Sequence, residues 1–300
     1  MALGRRRWIA VGIVGAGLGL LAASGIVLCE ATIRVPRRPL RPIEIPGSRR
    51  RDVEIRAADG AVLRGWLFVP DRPNGSFVIA LHGISDTRMG VLGLARLFAA
   101  NHYAILTADN RGHGESGGDL VTYGIREADD VHRWVDWLYA SEHPRSVFGM
   151  GESLGAGVLL QSLAVEHRFS AVIAECPFAD FSRVAVDRVA QRIPVPASIG
   201  EVLAEPMVWS GFLYARARYA IDFRAASPEA AIATVDTPIL LIHGLDDTNI
   251  YPVHSRILAT SNPSYATLWL VPGAKHTAAF AAAPEEFPRR VLGWFADHSR

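Results

Sequence analysis

The stretch Gly149-Met150-Gly151-Glu152-Ser153-Leu154-Gly155-Ala156-Gly157 decides how this chain is read. An apolar run with strand character, Val147–Met150, leads into it, and a run with helical character opens at Leu154. Between them stands Gly-x-Ser-x-Gly. That pattern is weak alone, because glycine and serine are common. A strand before it and a helix after it give it force. A sharp turn at this point lifts the serine hydroxyl clear of the sheet. Side chains two residues to either side would collide across the turn, so Gly151 and Gly155 are expected for steric reasons. The helix opening at Leu154 aims its free N–H groups and positive end at the same place.

Outward from that turn, strand and helix signals alternate. Val53–Ala57 and Val62–Val69, joined around Asp59-Gly60, read as an antiparallel hairpin. Strands are expected at Phe77–Leu81, Tyr103–Ala108, Ser146–Gly151, Ala171–Ala174, Pro238–Ile242 and Thr267–Val271. Helices are expected over 89–100, 125–140, 154–166, 252–260 and 285–296. In the second of these, Ile125, Val131, Val135 and Leu138 recur at helical spacing. The pattern predicts an α/β protein: a mainly parallel, eight-stranded sheet with helices on both faces. Ligands in such sheets sit at the carboxyl ends of the strands. One stretch breaks the alternation. Residues 178–236 hold Pro194, Pro196, Pro206 and Pro228 among short helix-like pieces, and are expected to form an inserted lid.

A serine hydroxyl is a poor nucleophile without a base. Of ten histidines, His276 is best placed, in the loop after the strand 267–271. The base in turn needs a carboxylate to fix its tautomer. His243-Gly244-Leu245-Asp246-Asp247 follows the strand 238–242 and offers two aspartates. His82 and His243 end strands beside glycines and are expected to orient loops. Glu152 is expected to pair with an arginine. The histidines lack a metal-ligand spacing such as H-E-x-x-H, and no G-x-G-x-x-G opens a helix after the first parallel strand. No metal and no dinucleotide or other cofactor is therefore expected.

Taken together, these pieces resemble the α/β-hydrolase fold superfamily over residues 52–297, and its single-pass, membrane-anchored serine-hydrolase branch most. The resemblance rests on LHGISDTRMG at 81–90, DNRGHGESGG at 109–118, GMGESLGAG at 149–157, LLIHGLDDTNIYPVHS at 240–255 and PGAKH at 272–276. It implies a catalytic set of Ser153, Asp247 and His276, since the family's acid stands in H-G-x-x-D. It also implies an oxyanion hole from the backbone N–H groups of Ile84 and Leu154, and a structural turn around Asp109, Arg111 and His113. The implied function is a serine hydrolase that cleaves an acyl ester or thioester through an acyl-enzyme on Ser153. A prolyl-oligopeptidase-like serine peptidase shares the order of nucleophile, acid and base. A non-catalytic binding protein on the same fold is the reading from another class. The anchor and the apolar lid tilt the expected substrate towards small acyl or lipid-like molecules.

The first 51 residues differ from the rest. Residues 8–29 form an uncharged apolar run, about 33 Å long as a helix, which matches a bilayer core of about 30 Å. It reads as an N-terminal transmembrane anchor within residues 1–30, followed by a Pro/Arg-rich linker over 31–51 and a catalytic domain over 52–300. A cleaved signal peptide is the rival reading, although its apolar region would normally be shorter. Arg5–Arg7 argue for a cytoplasmic N-terminus, and the arginines after the span argue against it. The expectation leans to an extracytoplasmic domain. Cys29 and Cys176 are not expected to form a disulfide. Thirty-one basic residues against 30 acidic ones give +1, with no global basic field for nucleic acid. The +1 is a cancellation between a basic segment 1–51 and a net acidic body.

Overall fold

The computed structural model describes residues 2–299; the side chains of residues 2–7, 9–14, 18 and 197 lie outside that description. The orientation argument from Arg5–Arg7 falls outside it with them. Eight strands form one sheet: β1 (Ser48–Arg56), β2 (Val62–Pro70), β3 (Ser76–Leu81), β4 (Ala104–Ala108), β5 (Ser146–Glu152), β6 (Phe169–Glu175), β7 (Ile239–Gly244) and β8 (Ala266–Val271). Their order is β1-β2-β4-β3-β5-β6-β7-β8. β1 and β2 pair antiparallel, as do β2 and β4; every later pair is parallel. β3 and β7 are buried along their whole length, as strands covered on both faces must be.

Helices cover both faces. One core layer packs α3 (Glu127–Ser141) and α4 (Leu154–Ser162) on the sheet. In α3 the buried Val131, Trp134, Val135 and Leu138 recur at three- and four-residue spacing, which turns one stripe of the helix to the sheet. The other layer packs α2 (Leu92–Ala100) and α8 (Glu286–Asp297). There Phe295 stacks on Phe148 at 4.4 Å and on Phe98 at 5.4 Å between ring centroids.

The 178–236 insertion departs from its expected form. It holds α5 (Phe181–Ala190), α6 (Ala197–Tyr219) and the short α7 (Pro228–Ile232). α6 is one helix of 23 residues, not a set of short pieces, and Pro206 lies inside it. Pro206 is solvent-exposed, so the ring sits away from the packed side. The last turns of the N-terminal helix α1 (Ala2–Ile33) lie against α6. Within α1, Gly15–Ile33 is long and apolar enough to cross a membrane, by length and composition.

The stretch read as a linker over 31–51 is shorter than expected. α1 runs on to Ile33, and β1 begins at Ser48 rather than Val53 because Ser48 pairs with Pro70 across the hairpin. What lies between is tied to the body, not free. The Arg37 guanidinium donates to the carbonyls of Gly114 at 3.1 Å and Gly118 at 2.8 Å, and also to that of Ser116.

Candidate active site

Three strand ends bring together residues far apart in sequence. β5 ends in the turn that carries Ser153, whose backbone sits at φ 54°, ψ −114°. That is outside the regions open to L-residues without strain. The neighbouring glycines show what holds it. A Cβ on Gly151 would come 2.4 Å from the Gly155 carbonyl oxygen. A Cβ on Gly155 would come 2.3 Å from the Leu81 carbonyl oxygen. The first is the collision across the turn expected from the sequence. The second is with the adjacent strand β3, so Gly155 also sets how closely helix α4 approaches the sheet. Ser85, Cys176 and Thr277, in the loops after β3, β6 and β8, share the positive φ of Ser153. Strain therefore gathers at the strand ends around this point.

Ser153, His276 and Asp247 form one hydrogen-bonded chain. Ser153 Oγ lies 2.8 Å from His276 Nε2, and His276 Nδ1 lies 2.7 Å from Asp247 Oδ2. The carboxylate fixes the proton on Nδ1 and leaves Nε2 free to accept from the serine hydroxyl. Asp247 is buried, whereas Asp246 points to solvent and only its backbone N–H bonds inward, to the Ala274 carbonyl. Oδ1 of Asp247 accepts the backbone N–H groups of Asn249 at 2.8 Å and Ile250 at 3.1 Å. Burial pushes this carboxyl up, but the hydrogen bonds from His243 and His276 and the nearby imidazole outweigh it. The net effect holds Asp247 well below the usual carboxylate range.

A cavity of about 460 Å³ opens onto Ser153 and His276, and Ile84 and Leu154 line it too. Leu154 is the first residue of α4, so its N–H has no carbonyl one turn behind it in the helix. Glu152 also lines the cavity and contradicts its expected role: no ion pair to an arginine is found among the described residues. The residue lines the cavity next to the turn that carries Ser153, and no described guanidinium pairs with it. Burial, with repulsion from Glu175 and Asp86, pushes its carboxyl up to about 8. Glu175 behaves similarly, pushed up to about 6 mainly by burial, while the Ala279 N–H donates to it.

The surrounding histidines orient loops. His82 Nδ1 donates to the Gly83 carbonyl and Nε2 accepts from Asn110 N–H, and burial pushes its pKa down to about 3. His243 Nε2 donates to the Ile250 carbonyl at 2.9 Å, and Nδ1 accepts from Ser255 Oγ at 2.6 Å. The 109–118 turn is held by buried ion pairs: Arg111 is bidentate to Asp130 at 2.7 Å, and Arg88 reaches Asp109. The contact of His243 with Asp247, and the place of Cys176 beside Asp247 and His276, have no local sequence signal. The side-chain donors of Cys176, Asp247 and His276 lie within 4.8 Å of one another. Two of those three are already engaged in the chain to Ser153, and the Thr277 N–H donates to Cys176 Sγ. Both cysteines are free and buried.

Residues 72–280 match the family model described as serine aminopeptidase, S33. The monoacylglycerol lipase of Mycolicibacterium smegmatis is 27% identical over 260 residues, spanning 77% of this chain and 92% of that one. The uncharacterized protein YqkD of Bacillus subtilis is 28% identical over 248 residues, spanning 81% and 78%. Among solved structures, an esterase of Pyrococcus furiosus superposes with a TM-score of 0.71 at 22% identity, covering 88% of this chain and 99% of its own. That last likeness carries the fold. With the sheet order and the family match, this chain belongs to the serine aminopeptidase S33 family of the α/β-hydrolase superfamily, and it is a hydrolase.

Proposed function

We propose that the protein is a serine hydrolase of carboxylic esters or thioesters, with Ser153 as nucleophile, His276 as base and then acid, and Asp247 as the orienting carboxylate. The observation that carries this reading is the unbroken chain from Ser153 Oγ through His276 to Asp247 Oδ2. Ser153 Oγ attacks the acyl carbon as its proton passes to His276 Nε2. The carbonyl oxygen gains negative charge and is held by the N–H groups of Ile84 and Leu154. Collapse of that intermediate breaks the bond to the leaving oxygen or sulfur, which takes the proton from His276. Water then repeats the sequence on the acyl-enzyme and frees Ser153. Each amide donor is worth about 3–4 kcal/mol by the usual deletion cost.

The similarity to a monoacylglycerol lipase supports ester chemistry. Residues 178–236 are proposed as a lid, supported by α5, whose Phe181, Val184 and Arg188 line the cavity. α1 is proposed as a single-pass membrane anchor. The outer face of α6 supports this: Ile199, Val202, Trp209 and Leu213 are exposed at spacings of three, seven and four residues, on the helix that lies against α1. The test is labelling with a fluorophosphonate and turnover of acyl esters beside aminoacyl amides. Full labelling and esterase activity in Ser153→Ala would sink the assignment.

A further inference from the structure

The N-terminal helix reaches further than an anchor needs to. Ala31 and Thr32 of α1, with Val35 just after it, line the same cavity as Ser153 and His276. The helix is locked there. A Cβ on Gly25 would come 2.0 Å from the Met207 carbonyl oxygen, and one on Gly211 would come 2.8 Å from the Gly25 carbonyl oxygen. Two glycines thus face each other and let α1 and α6 close to backbone contact. The Glu30 carboxylate accepts from Tyr214 OH at 2.7 Å and from Tyr219 OH at 2.5 Å. The Val121 N–H donates to the Ile33 carbonyl at 2.9 Å, tying the end of α1 to the catalytic body.

Between α1 and α6 lies a second recess, of about 50 Å³, floored by Gly25, Cys29 and Gly211. Among the described residues, no charged side chain lines it. It shares four lining residues with the catalytic cavity: Thr32, Phe181, Ala185 and Val189. The two cavities therefore adjoin across these residues, and the second is the apolar one. The lining that the catalytic cavity does not share with the recess includes the polar Asp86, Glu152, Arg188, Arg192 and Asn249.

We infer that this recess is the acyl-chain site, that its ligand is the linear hydrocarbon chain of an ester's acyl group, and that α1 is one wall of it. This rests on the serine-hydrolase reading above. An acyl group stays bonded to Ser153 until water arrives, so it suits the apolar recess. The alcohol or thiol leaves after the first step and suits the polar lining of the catalytic cavity. An apolar pocket with a few polar groups at the reacting end is how such ligands are oriented.

The test uses the full-length chain in lipid nanodiscs. Cys29→Phe, which fills the floor of the recess, is compared with wild type on p-nitrophenyl decanoate, p-nitrophenyl acetate and decyl acetate. The expected result is a fall of about tenfold or more in the decanoate-to-acetate ratio of kcat/KM, since lost methylene contacts are worth that much in an apolar pocket. Cys29→Leu should give a smaller fall in the same direction. An unchanged ratio in a folded variant overturns the inference. So does a loss confined to decyl acetate, which would put the alcohol chain in the recess. If neither variant folds, inactivation rates of wild type by alkyl fluorophosphonates of increasing chain length decide it. A rise with length is expected, and a flat series overturns the proposal. Absence of all labelling at Ser153, by any chain length, would instead remove the serine-hydrolase reading on which it rests.

Discussion

His243 Nε2 lies 3.3 Å from Asp247 Oδ2, the same oxygen that receives His276 Nδ1. His243 ends strand β7, its other nitrogen is held by Ser255, and its Nε2–H is shared between Asp247 and the Ile250 carbonyl. Asp247 is thereby gripped on both oxygens: by two backbone amides on Oδ1 and by two imidazoles on Oδ2. The carboxylate proposed to orient the base is itself held by a buried histidine that does not line the cavity.

Replacing that support should loosen the acid without removing it. For His243→Gln we expect kcat to fall on the order of tenfold, with KM nearly unchanged, because small displacements of catalytic groups carry large rate penalties. Steady-state kinetics on an acyl ester checks it. Equal changes in kcat and KM would point to general loosening of the cavity.

Asp247→Asn should be far more damaging. It keeps shape but removes the charge that fixes the His276 tautomer, and a drop in kcat of about 10⁴ is expected. Asp246→Asn should stay within a factor of two or so, because Asp246 is exposed and outside the relay. Parallel kinetics of the two variants checks the choice between them.

Glu152 makes stability pH-dependent. In the folded chain its carboxyl is pushed up to about 8, chiefly by burial, against a usual value of 4.5. Between those values the unfolded chain releases a proton that the folded chain keeps. The folded state binds more protons there, so stability is lost as pH rises through the window. Glu152→Gln lacks this loss. Its Tm relative to wild type should therefore rise by a few degrees between about pH 5 and about pH 8. A relative Tm that stays flat with pH would contradict the burial argument.

Gly155→Ala tests the steric origin of the turn. The new Cβ would meet the Leu81 backbone at 2.3 Å, and backbone cannot swing aside as a side chain can. Destabilisation of about 1–3 kcal/mol or more is expected by urea denaturation. Gly93→Ala, where a Cβ meets nothing within 4 Å and the helix α2 gains propensity, should be neutral or stabilising.

Arg111→Ala removes a buried guanidinium from Asp130 and leaves that carboxylate without its bidentate partner. Breaking one side of such a pair costs about 3–5 kcal/mol. Urea denaturation should show it, with a midpoint shift much larger than for the half-buried Arg133→Ala, whose partner Asp129 is half-buried too.

Much of this molecule was legible in local patterns. Alternating apolar runs set the strands and helices, and G-x-S-x-G announced a strained turn, because strand burial and turn sterics are decided within a few residues. The order Ser153, Asp247, His276 was legible through resemblance. Other features were not. Glu152 read as an arginine's partner, yet which side chains face it depends on where β5 and β6 end together. α6 read as broken pieces because Pro206 is a breaker locally, while its exposed position lets the helix continue. The sequence by itself determined the element order and the residue types at the strand ends. Only the tertiary structure decided the meetings: His276 with Ser153 across 123 residues, and Glu30 with Tyr214 across 184. Such contacts follow from sheet register and helix packing, which no short stretch encodes. They turn an N-terminal helix that reads as an appendage into a wall of the cavity.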